Sequence, residues 1–415
     1  MVSDGYRFRF ADSALDALMA DVPSVLLTGP RGCGKTTTGM RHVDRSVSLD
    51  VPGMAAAAQA DPDLFLDRQQ RPLLIDEWQE APAVLGAVKR IVDSDPSAGQ
   101  FLITGSVRSE LGSGVWPGTG RLVRVAMAPM SQREILGFSG ELSSLFLHRF
   151  FMSGELPTEG TELTSVDYVD AATQGGFPEA VRMNSQRVRR AWLESYSEQL
   201  LARDIADLGE SVDSIRLRQY VEVLSLNTAG VLAQSSLAQM AGISVITSER
   251  YDKLLADVGI VGNLQPWGRN RVSRIEKRPK RFLTDTGVAL AAAGIDRDSV
   301  IVDGNLLGRV LEGLVFMQLR AEVLAAEVSL RIFHLRTLNG RQEVDFVVEG
   351  PGGGILGIEV KASTQVTSRD ARHLEWMKRE FPREWRAGVV LHAGHDAYRL
   401  AEGIWALPIA SLWSP

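Results

Sequence analysis

The chain has 415 residues, of which 45% are hydrophobic and 23% charged, so it is long enough for two to four globular domains. No stretch reaches the roughly 18 consecutive apolar residues that span a membrane, and the N-terminus lacks the apolar segment of a secretory signal. These features exclude a membrane partner, and the single cysteine, Cys33, fits a cytoplasmic location. The formal net charge of −6 argues against bulk electrostatic binding of nucleic acid, although a local basic patch stays open.

Residues 1–135 have the pattern of an α/β domain. Three short apolar runs, Ser24–Thr28, Leu73–Ile75 and Phe101–Thr104, are separated by helical or loop segments. Runs of this kind are typical of buried strands in a parallel sheet with crossover connections.

A phosphate-binding loop follows the first of these strands. Gly29–Thr36 reads GPRGCGKT and matches G-x-x-x-x-G-K-[ST], in which glycines let successive backbone N–H groups point at phosphate oxygens. Lys35 would reach the β- and γ-phosphates of ATP, Thr36 would ligate Mg²⁺, and the helix that starts here offers its positive end to the anion. The predicted nucleotide-binding residues are Gly29, Pro30, Arg31, Gly32, Cys33, Gly34, Lys35, Thr36, Thr37 and Ser106.

An acidic pair ends the second strand, LLIDE. Asp76 would hold Mg²⁺ through water, and Glu77 would orient or polarise the attacking water. The third strand ends in small polar residues, of which Thr104 or Ser106 would contact the γ-phosphate or the water.

Two arginines after a glycine-rich loop, Arg121 and Arg124, are candidate arginine fingers. Either could act on the γ-phosphate of its own subunit or of a neighbouring one, so a homo-oligomer stays open. Ordinary surface arginines are an equally good interpretation.

Residues 136–215 look mainly helical, and residues 216–295 have the order of a winged helix. The expected helices cover Leu217–Leu226, Leu237–Ala241 and Glu249–Val258, and the expected wing strands Ile260–Trp267 and Pro279–Thr284. The alternative is a helical spacer. Basic residues between Arg269 and Arg281, including Lys280, would form a phosphate-contacting wing, or else a solvated loop or an interdomain contact.

A carboxylate cluster is expected in residues 296–415, where strands Glu343–Glu349 and Ile355–Lys361 flank a five-residue turn. If Glu349 pairs with Ile355, then Asp345 lies opposite Glu359, and the reverse face of the hairpin is wholly apolar. Mg²⁺ bridging these two carboxylates would relieve their repulsion, and Lys361 would position or activate a water for attack on a phosphodiester. Glu312, on an expected helix Leu306–Ala325, would complete the metal site. The alternatives are a solvated charged face or an inactive relative.

Several segments together resemble a family of bacterial and archaeal AAA+ ATPases. They are GPRGCGKTT, LLIDEWQE, FLITGS, GTGRLVRVAMAPMSQRE, QGGFPEA, KRPKRFLTDTGVA, HLRTLNGRQEVDFVV and GIEVKAS. The resemblance implies an α/β fold in four parts: an ORC/STAND-like P-loop ATPase core with a parallel sheet (1–135), a helical lid (136–215), a winged helix (216–295) and a restriction-endonuclease-like domain of the PD-(D/E)XK type (296–415).

The motifs predict a function with ATP and Mg²⁺ as cofactors. The leading hypothesis is Mg²⁺-dependent ATP binding and hydrolysis coupled to a DNA-directed nuclease with Asp345, Glu359 and Lys361 as its catalytic residues. The alternative is a nucleotide-dependent switch or scaffold, in which an inactive nuclease-like domain binds DNA or another partner. A transcriptional regulator is a third, weaker interpretation.

Overall fold

The computed structural model describes residues 5–106, 120–138, 142–201, 213–269, 278–337 and 340–414, with Ser106 described by its backbone alone. The chain forms two compact units, one of residues 1–130 with 257–259 and one of residues 131–256 with 260–415. Within the described ranges, every helix is too short or too polar to cross a membrane.

The first unit is built on a five-stranded sheet in which all neighbouring strands are parallel. The strand order is β2-β3-β4-β1-β5. The strands are β1 (Ser24–Gly29), β2 (Arg45–Ser48), β3 (Leu73–Asp76), β4 (Phe101–Ser106) and β5 (Val123–Ala126). The three central strands are the predicted ones, since burial on both faces requires continuous apolar runs.

Among the described residues of this unit, five α-helices cover the sheet: α1 (Phe10–Asp21), α2 (Lys35–Gly39), α3 (Pro52–Ala60), α4 (Pro62–Asp67) and α5 (Val84–Ser94). Helix α5 buries one apolar stripe, and that stripe shares a core with the inner strands and Trp78. The parallel order brings the carboxyl ends of β1, β3 and β4 to one edge of the sheet, which is where ligands bind in open α/β sheets.

In the residues that the structure describes, the second unit begins with eight α-helices. They are α6 (Gln132–Leu136), α7 (Phe146–Ser153), α8 (Ser165–Gln174), α9 (Pro178–Arg182), α10 (Gln186–Gln199), α11 (Ser214–Leu226), α12 (Gln234–Met240) and α13 (Val245–Asp257). An antiparallel pair, β6 (Val261–Leu264) and β7 (Lys280–Leu283), follows. The three helices and two strands expected in residues 216–295 are therefore present.

The described part of this unit also contains four more α-helices and a mixed six-stranded sheet. The helices are α14 (Thr286–Ala292), α15 (Arg297–Val302), α16 (Gly304–Ala325) and α17 (Arg372–Glu380). The strands, in the order β12-β13-β11-β10-β9-β8, are β8 (Arg331–Arg336), β9 (Glu343–Glu349), β10 (Ile355–Lys361), β11 (Trp385–His392), β12 (Tyr398–Ala401) and β13 (Ile404–Pro408). Strands β8, β9 and β10 are antiparallel, β10, β11 and β13 are parallel, and β12 is antiparallel to β13.

Both faces of this second sheet are covered. Phe346 and Ile358 pack into the core that contains the buried side of α16, as expected for the apolar face of the hairpin. On the other face, Val347 shares a core with Leu374 of α17, and a Cβ at Gly357 would lie 2.8 Å from the Leu374 side chain. The predicted charged face is therefore confined to the ends of β9 and β10 that lie away from the turn.

Candidate functional site

The phosphate-binding loop joins β1 to α2, and its glycines are required by geometry. Gly32 and Gly34 have φ values of +76° and +101°, a region that favours glycine. A Cβ at Gly29 would lie 2.4 Å from the backbone oxygen of Met127, so this position must be glycine for the loop to pass beside the end of β5. The sequence motif thus has the backbone curl that phosphate binding needs.

Lys35 is buried and lies over the loop. Its ammonium donates to the carbonyl oxygens of Gly29 and Pro30, at 3.1 and 3.0 Å, which holds the charge at the centre of the curl. Cys33 is also buried and is the small apolar filler that its position allows. Helix α2 is only five residues long, so the backbone of the loop contributes more than the helix end.

Asp76 connects the loop to the neighbouring strands. The Thr36 hydroxyl donates to its carboxylate at 3.0 Å, and the Thr104 hydroxyl donates to the same carboxylate. A hydroxyl and a carboxylate in direct contact are both within reach of one Mg²⁺, whose ligands are oxygen atoms at about 2.0–2.1 Å. The residues present therefore fit the predicted magnesium site. Thr104, which was expected to contact the γ-phosphate or the water, donates its hydroxyl to Asp76 in this structure. Ser106 ends β4, and its side chain lies outside the described atoms.

Glu77 has a backbone conformation that is uncommon for its type. Its φ of 53° and ψ of 50° are left-handed, and non-glycine residues held in this region cluster at functional sites. Its carboxylate accepts a hydrogen bond from the side chain of Gln79, a contact that no spacing in the sequence indicates. Trp78 Nε1 and Gln79 Oε1 are buried without a hydrogen-bond partner among the described residues, and both lie against Gly105.

Arg121 lies at the opposite end of β1 from the loop. Its carbonyl accepts from the Ser24 hydroxyl, at the first residue of β1, and its guanidinium donates to Asp93 at 2.8 Å. The loop begins at Gly29, five residues further along the strand, or about 16 Å away. Arg121 as an arginine finger for its own subunit is therefore wrong, and a role in a neighbouring subunit stays a prediction.

The N-terminal segment braces the loop, which the sequence did not indicate. The guanidinium of Arg9 donates to the carbonyls of Cys33 and Ala128 at 2.8 and 2.7 Å. Tyr6 contacts the Thr38 hydroxyl of α2. These contacts tie the segment before α1 to the loop and to the residues after β5, but each pairs positions far apart in the chain, so no local pattern reveals them.

The predicted hairpin of the second unit forms with the expected register, and Glu349 lies opposite Ile355. The paired ladder extends only to Phe346 and Ile358. Beyond it, the Asp345 carboxylate accepts from the backbone N–H of Val360 at 3.0 Å. The backbone pairing of Asp345 with Glu359 is thus replaced by a side-chain contact.

A buried lysine lies within the carboxylate cluster. The ammonium of Lys280, on β7, is 3.0 Å from Asp345 and in contact with Glu312, and it faces the rings of Phe282 and Phe346 about 6 Å away. The expectation that Lys280 belongs to a phosphate-binding wing is wrong, because these acidic and aromatic groups bury it. Arg271, Arg274 and Lys277 of the same segment lie outside the described residues.

Burial and the two lysines decide which carboxyls of the cluster are ionised. Burial and the nearby Asp345 charge raise the pKa of Glu312 to about 8 and that of Glu359 to about 8. Burial also opposes ionisation of Asp345, but the Lys280 and Lys361 ammonium groups outweigh it and hold the pKa of that carboxyl below its ordinary value. Lys361 lies 2.7 Å from Glu359.

This arrangement does not fit a divalent cation. Within the described ranges, no group of three histidine, cysteine, aspartate or glutamate side chains is placed to hold a metal ion. The position between Glu312 and Asp345 is taken by an ammonium group. The metal role expected of Glu312, Asp345 and Glu359 therefore has no support in the geometry.

Comparison with known families divides the chain into three parts. Residues 21–136 match the AAA domain. Residues 165–299 match a domain of unknown function, DUF8612, and residues 307–412 match another, DUF4143. Two relatives, the uncharacterized proteins Rv2008c of Mycobacterium tuberculosis and Mb2031c of Mycobacterium bovis, are each 29% identical over 370 residues, covering 88% of this chain and 76% of theirs.

Solved structures resemble the chain only distantly. The Walker-type ATPase PABY2304 of Pyrococcus abyssi aligns over 68% of this chain and 94% of its own, with 13% identity and a TM-score of 0.41. AMPPCP-bound DnaA from Aquifex aeolicus aligns over 59% and 85%, with 12% identity and a TM-score of 0.29. These alignments are too distant to carry an argument. The strand order and the phosphate-binding loop give the first unit the fold of P-loop ATPases, and its sequence matches the AAA domain.

Proposed function

We propose that the chain binds and hydrolyses ATP with Mg²⁺ at the loop Gly29–Thr36 and the acidic pair Asp76–Glu77. The observation that supports this most strongly is the direct contact between the Thr36 hydroxyl and the Asp76 carboxylate, beside the loop. These two side chains would hold Mg²⁺, which when bound offsets the negative charge of the β- and γ-phosphates.

The remaining roles follow from the positions of the side chains. Backbone N–H groups of the loop cradle the phosphates, and the Lys35 ammonium exchanges the Gly29 and Pro30 carbonyls for phosphate oxygens. The Glu77 carboxylate accepts a hydrogen bond from the attacking water and orients it. Because Gln79 donates to that carboxylate, it fixes where Glu77 points.

The matched test compares two glutamates that are three residues apart. Glu80 is exposed, whereas Glu77 follows Asp76 at the end of β3. We expect Glu77→Gln to lower steady-state ATP turnover by about 100-fold or more, the usual effect of losing a general base, and Glu80→Gln to leave it unchanged. Equal turnover in wild type and both variants would remove the proposed role of Glu77.

For the second unit, the position of Lys280 favours the switch or scaffold over the nuclease. An ammonium bonded to Asp345 and in contact with Glu312 stabilises the Asp345 carboxylate without a metal. We propose that this unit contacts a partner under the control of ATP and does not cleave DNA. Cleavage of single- or double-stranded DNA with Mg²⁺ or Mn²⁺ that Asp345→Ala abolishes would overturn this part of the proposal.

Two further features belong to the proposal. Helices α11–α13 followed by the antiparallel β6–β7 pair have the element order of a winged helix, although α13 mixes acidic and basic residues, which disfavours sequence-specific reading of DNA.

An arginine finger from Arg121 would act between subunits, and so would require a homo-oligomer. Sedimentation of the chain with ATP and Mg²⁺ tests the second feature, and a monomer at all concentrations would exclude it.

A further inference from the structure

A basic pocket lies on the second unit, beside the carboxylate cluster. It is a cavity of about 430 Å³, within the range of about 300–1,000 Å³ typical of ligand sites. Its described lining contains three arginines and no carboxylate, in a chain whose net charge is −6. The lining residues are Arg341, Gln342, Arg372, His373, Trp376 and Arg379.

Helix α17 presents three of these residues on one face. Arg372, Trp376 and Arg379 are spaced at i, i+4 and i+7, which places them in one row along the helix. Leu374 and Met377, on the other side of α17, are buried in the core against the sheet. Because the core fixes the rotation of the helix, the basic and aromatic row must face the pocket.

Three of the lining residues are joined by a chain of hydrogen bonds. His373 donates from Nδ1 to the Gln342 side-chain oxygen at 2.7 Å, and its Nε2 accepts from Arg372 at 3.1 Å. Burial and the charges of Arg372 and Lys361 lower the pKa of His373, so the ring is neutral in this tautomer. Trp376 packs edge-on against Phe381 at a centroid distance of 5.9 Å, which steadies the indole.

Such a lining suits one kind of ligand. Guanidinium groups bind phosphate oxygens in a bidentate manner, and an indole ring offers a surface on which an unstacked base can stack. Bases within a duplex are already stacked and cannot reach a pocket wall, whereas those of a single strand are free to turn out. We infer that this pocket binds a nucleotide of single-stranded DNA, with its phosphate on the arginines and its base on Trp376.

The inference identifies single-stranded DNA as the partner of the proposed switch. The role of this binding in a switch rests on the proposed function, whereas the binding itself does not. Binding is measured by fluorescence anisotropy of a labelled 20-nucleotide oligothymidylate and of a duplex of equal length. Wild type should bind the single strand more tightly than the duplex. Each arginine bound to phosphate contributes about −0.7 to the slope of log affinity against log salt concentration.

The variants are matched in charge. Arg372→Gln with Arg379→Gln removes two arginines of the pocket, and Arg331→Gln with Arg383→Gln removes two exposed arginines outside it. We expect the first pair to weaken single-strand binding by about tenfold or more and to reduce the salt slope by about 1.4. The second pair should change the affinity by less than about twofold. Equal losses in both pairs would overturn the inference.

The stacking role has its own readout. Trp376→Ala should lose about fivefold or more in affinity, and Trp376→Phe should retain most of it, because every aromatic ring has a stacking face. Circular dichroism confirms that each variant is folded. Equal affinity for duplex and single strand, with no effect of Trp376→Ala, would contradict the assignment.

One variant separates failure of the inference from failure of the proposed function. Lys35→Ala should abolish any effect of ATP on the binding of the oligonucleotide but keep the binding itself. ATP turnover without any single-strand binding would remove the pocket assignment and leave the ATPase standing. Single-strand binding without ATP turnover would remove the proposed ATPase and leave the pocket assignment standing.

Discussion

At the scale of single residues, chemistry-bearing side chains could be predicted where a motif fixes them locally. The loop around Lys35 and the pair Asp76–Glu77 follow from spacing alone, because every part of that motif lies at a strand end. Lys280 could not be placed in this way. Its partners Glu312 and Asp345 are 32 and 65 residues further along the chain, and in the sequence it reads as one more basic residue of the expected wing.

The burial of Lys280 leads to a stability prediction. Lys280→Met would leave the ionised Asp345 carboxylate buried without the ammonium that bonds to it, and breaking a buried ion pair in this way costs about 3–5 kcal/mol. Urea unfolding of the purified chain measures this loss. Lys253→Met, which changes an exposed lysine of the same unit, should stay within about 0.5 kcal/mol of wild type.

A second substitution checks the cause. Adding Asp345→Asn to Lys280→Met removes the stranded charge, so part of the lost stability should return. If the two substitutions are instead additive, the lysine does not stabilise the cluster through its charge, and the metal-free interpretation of the site fails.

At the scale of elements, burial pattern decides what the sequence shows. Strands β1, β3 and β4 are buried on both faces, so continuous apolar runs predict them. The edge strands β2 (RSVS) and β5 (VRVA) are short, partly exposed and polar, so no apolar run predicts them. The register of β9 against β10 followed from the hairpin turn. The position at which that ladder stops depends on the Asp345–Val360 contact, which no periodicity reveals.

One contact between helices makes stability depend on pH. Helix α7 has no side-chain cap of its own, and the buried carboxyl of Glu322, on α16, accepts from the N–H groups of Phe146 and Leu147 at 3.2 and 2.7 Å. Burial raises the pKa of Glu322 from 4.5 to about 7 against the opposing effect of those two hydrogen bonds. The folded unit therefore binds this proton more tightly than the unfolded chain does.

The sign of the effect follows from linkage. The stabilisation of the folded unit that comes from its tighter binding of the Glu322 proton is fully present below pH 4.5 and is lost as the pH rises through about 7. The free energy of unfolding falls over this range with a slope of at most about 1.4 kcal/mol per pH unit. Glu322→Gln should flatten the decline in unfolding free energy between pH 5 and 7, measured with urea. The exposed Glu327→Gln should keep the wild-type slope, and an unchanged slope in Glu322→Gln would contradict the assignment.

At the scale of the whole molecule, the chain consists of two units with separate hydrophobic cores. Composition and length indicated several domains, and the motifs indicated that the first is an ATPase. The extent of the second unit could not be predicted, because its core combines α8 with the sheet and α16, and these segments are far apart in sequence.

Separate cores predict separate unfolding. Calorimetry should resolve two transitions, and a ligand that binds only the folded first unit stabilises that unit alone, by about 2.7 kcal/mol at 100 times its dissociation constant. ATP with Mg²⁺ should therefore raise the temperature of one transition and leave the other in place. A single transition that shifts as a whole would show that the units unfold together.

The measurement that bears most directly on the ATP site is equilibrium binding of ATP to the intact chain, by isothermal titration with and without Mg²⁺. Wild type should bind one ATP per chain, more tightly with Mg²⁺, and Lys35→Ala should weaken binding by at least about tenfold, the equivalent of roughly 1.4 kcal/mol. Lys89→Ala, at a half-buried lysine of α5 that pairs with Asp93, should bind as wild type does. No binding by wild type, or equal binding by wild type and Lys35→Ala, would contradict a triphosphate site at Gly29–Thr36.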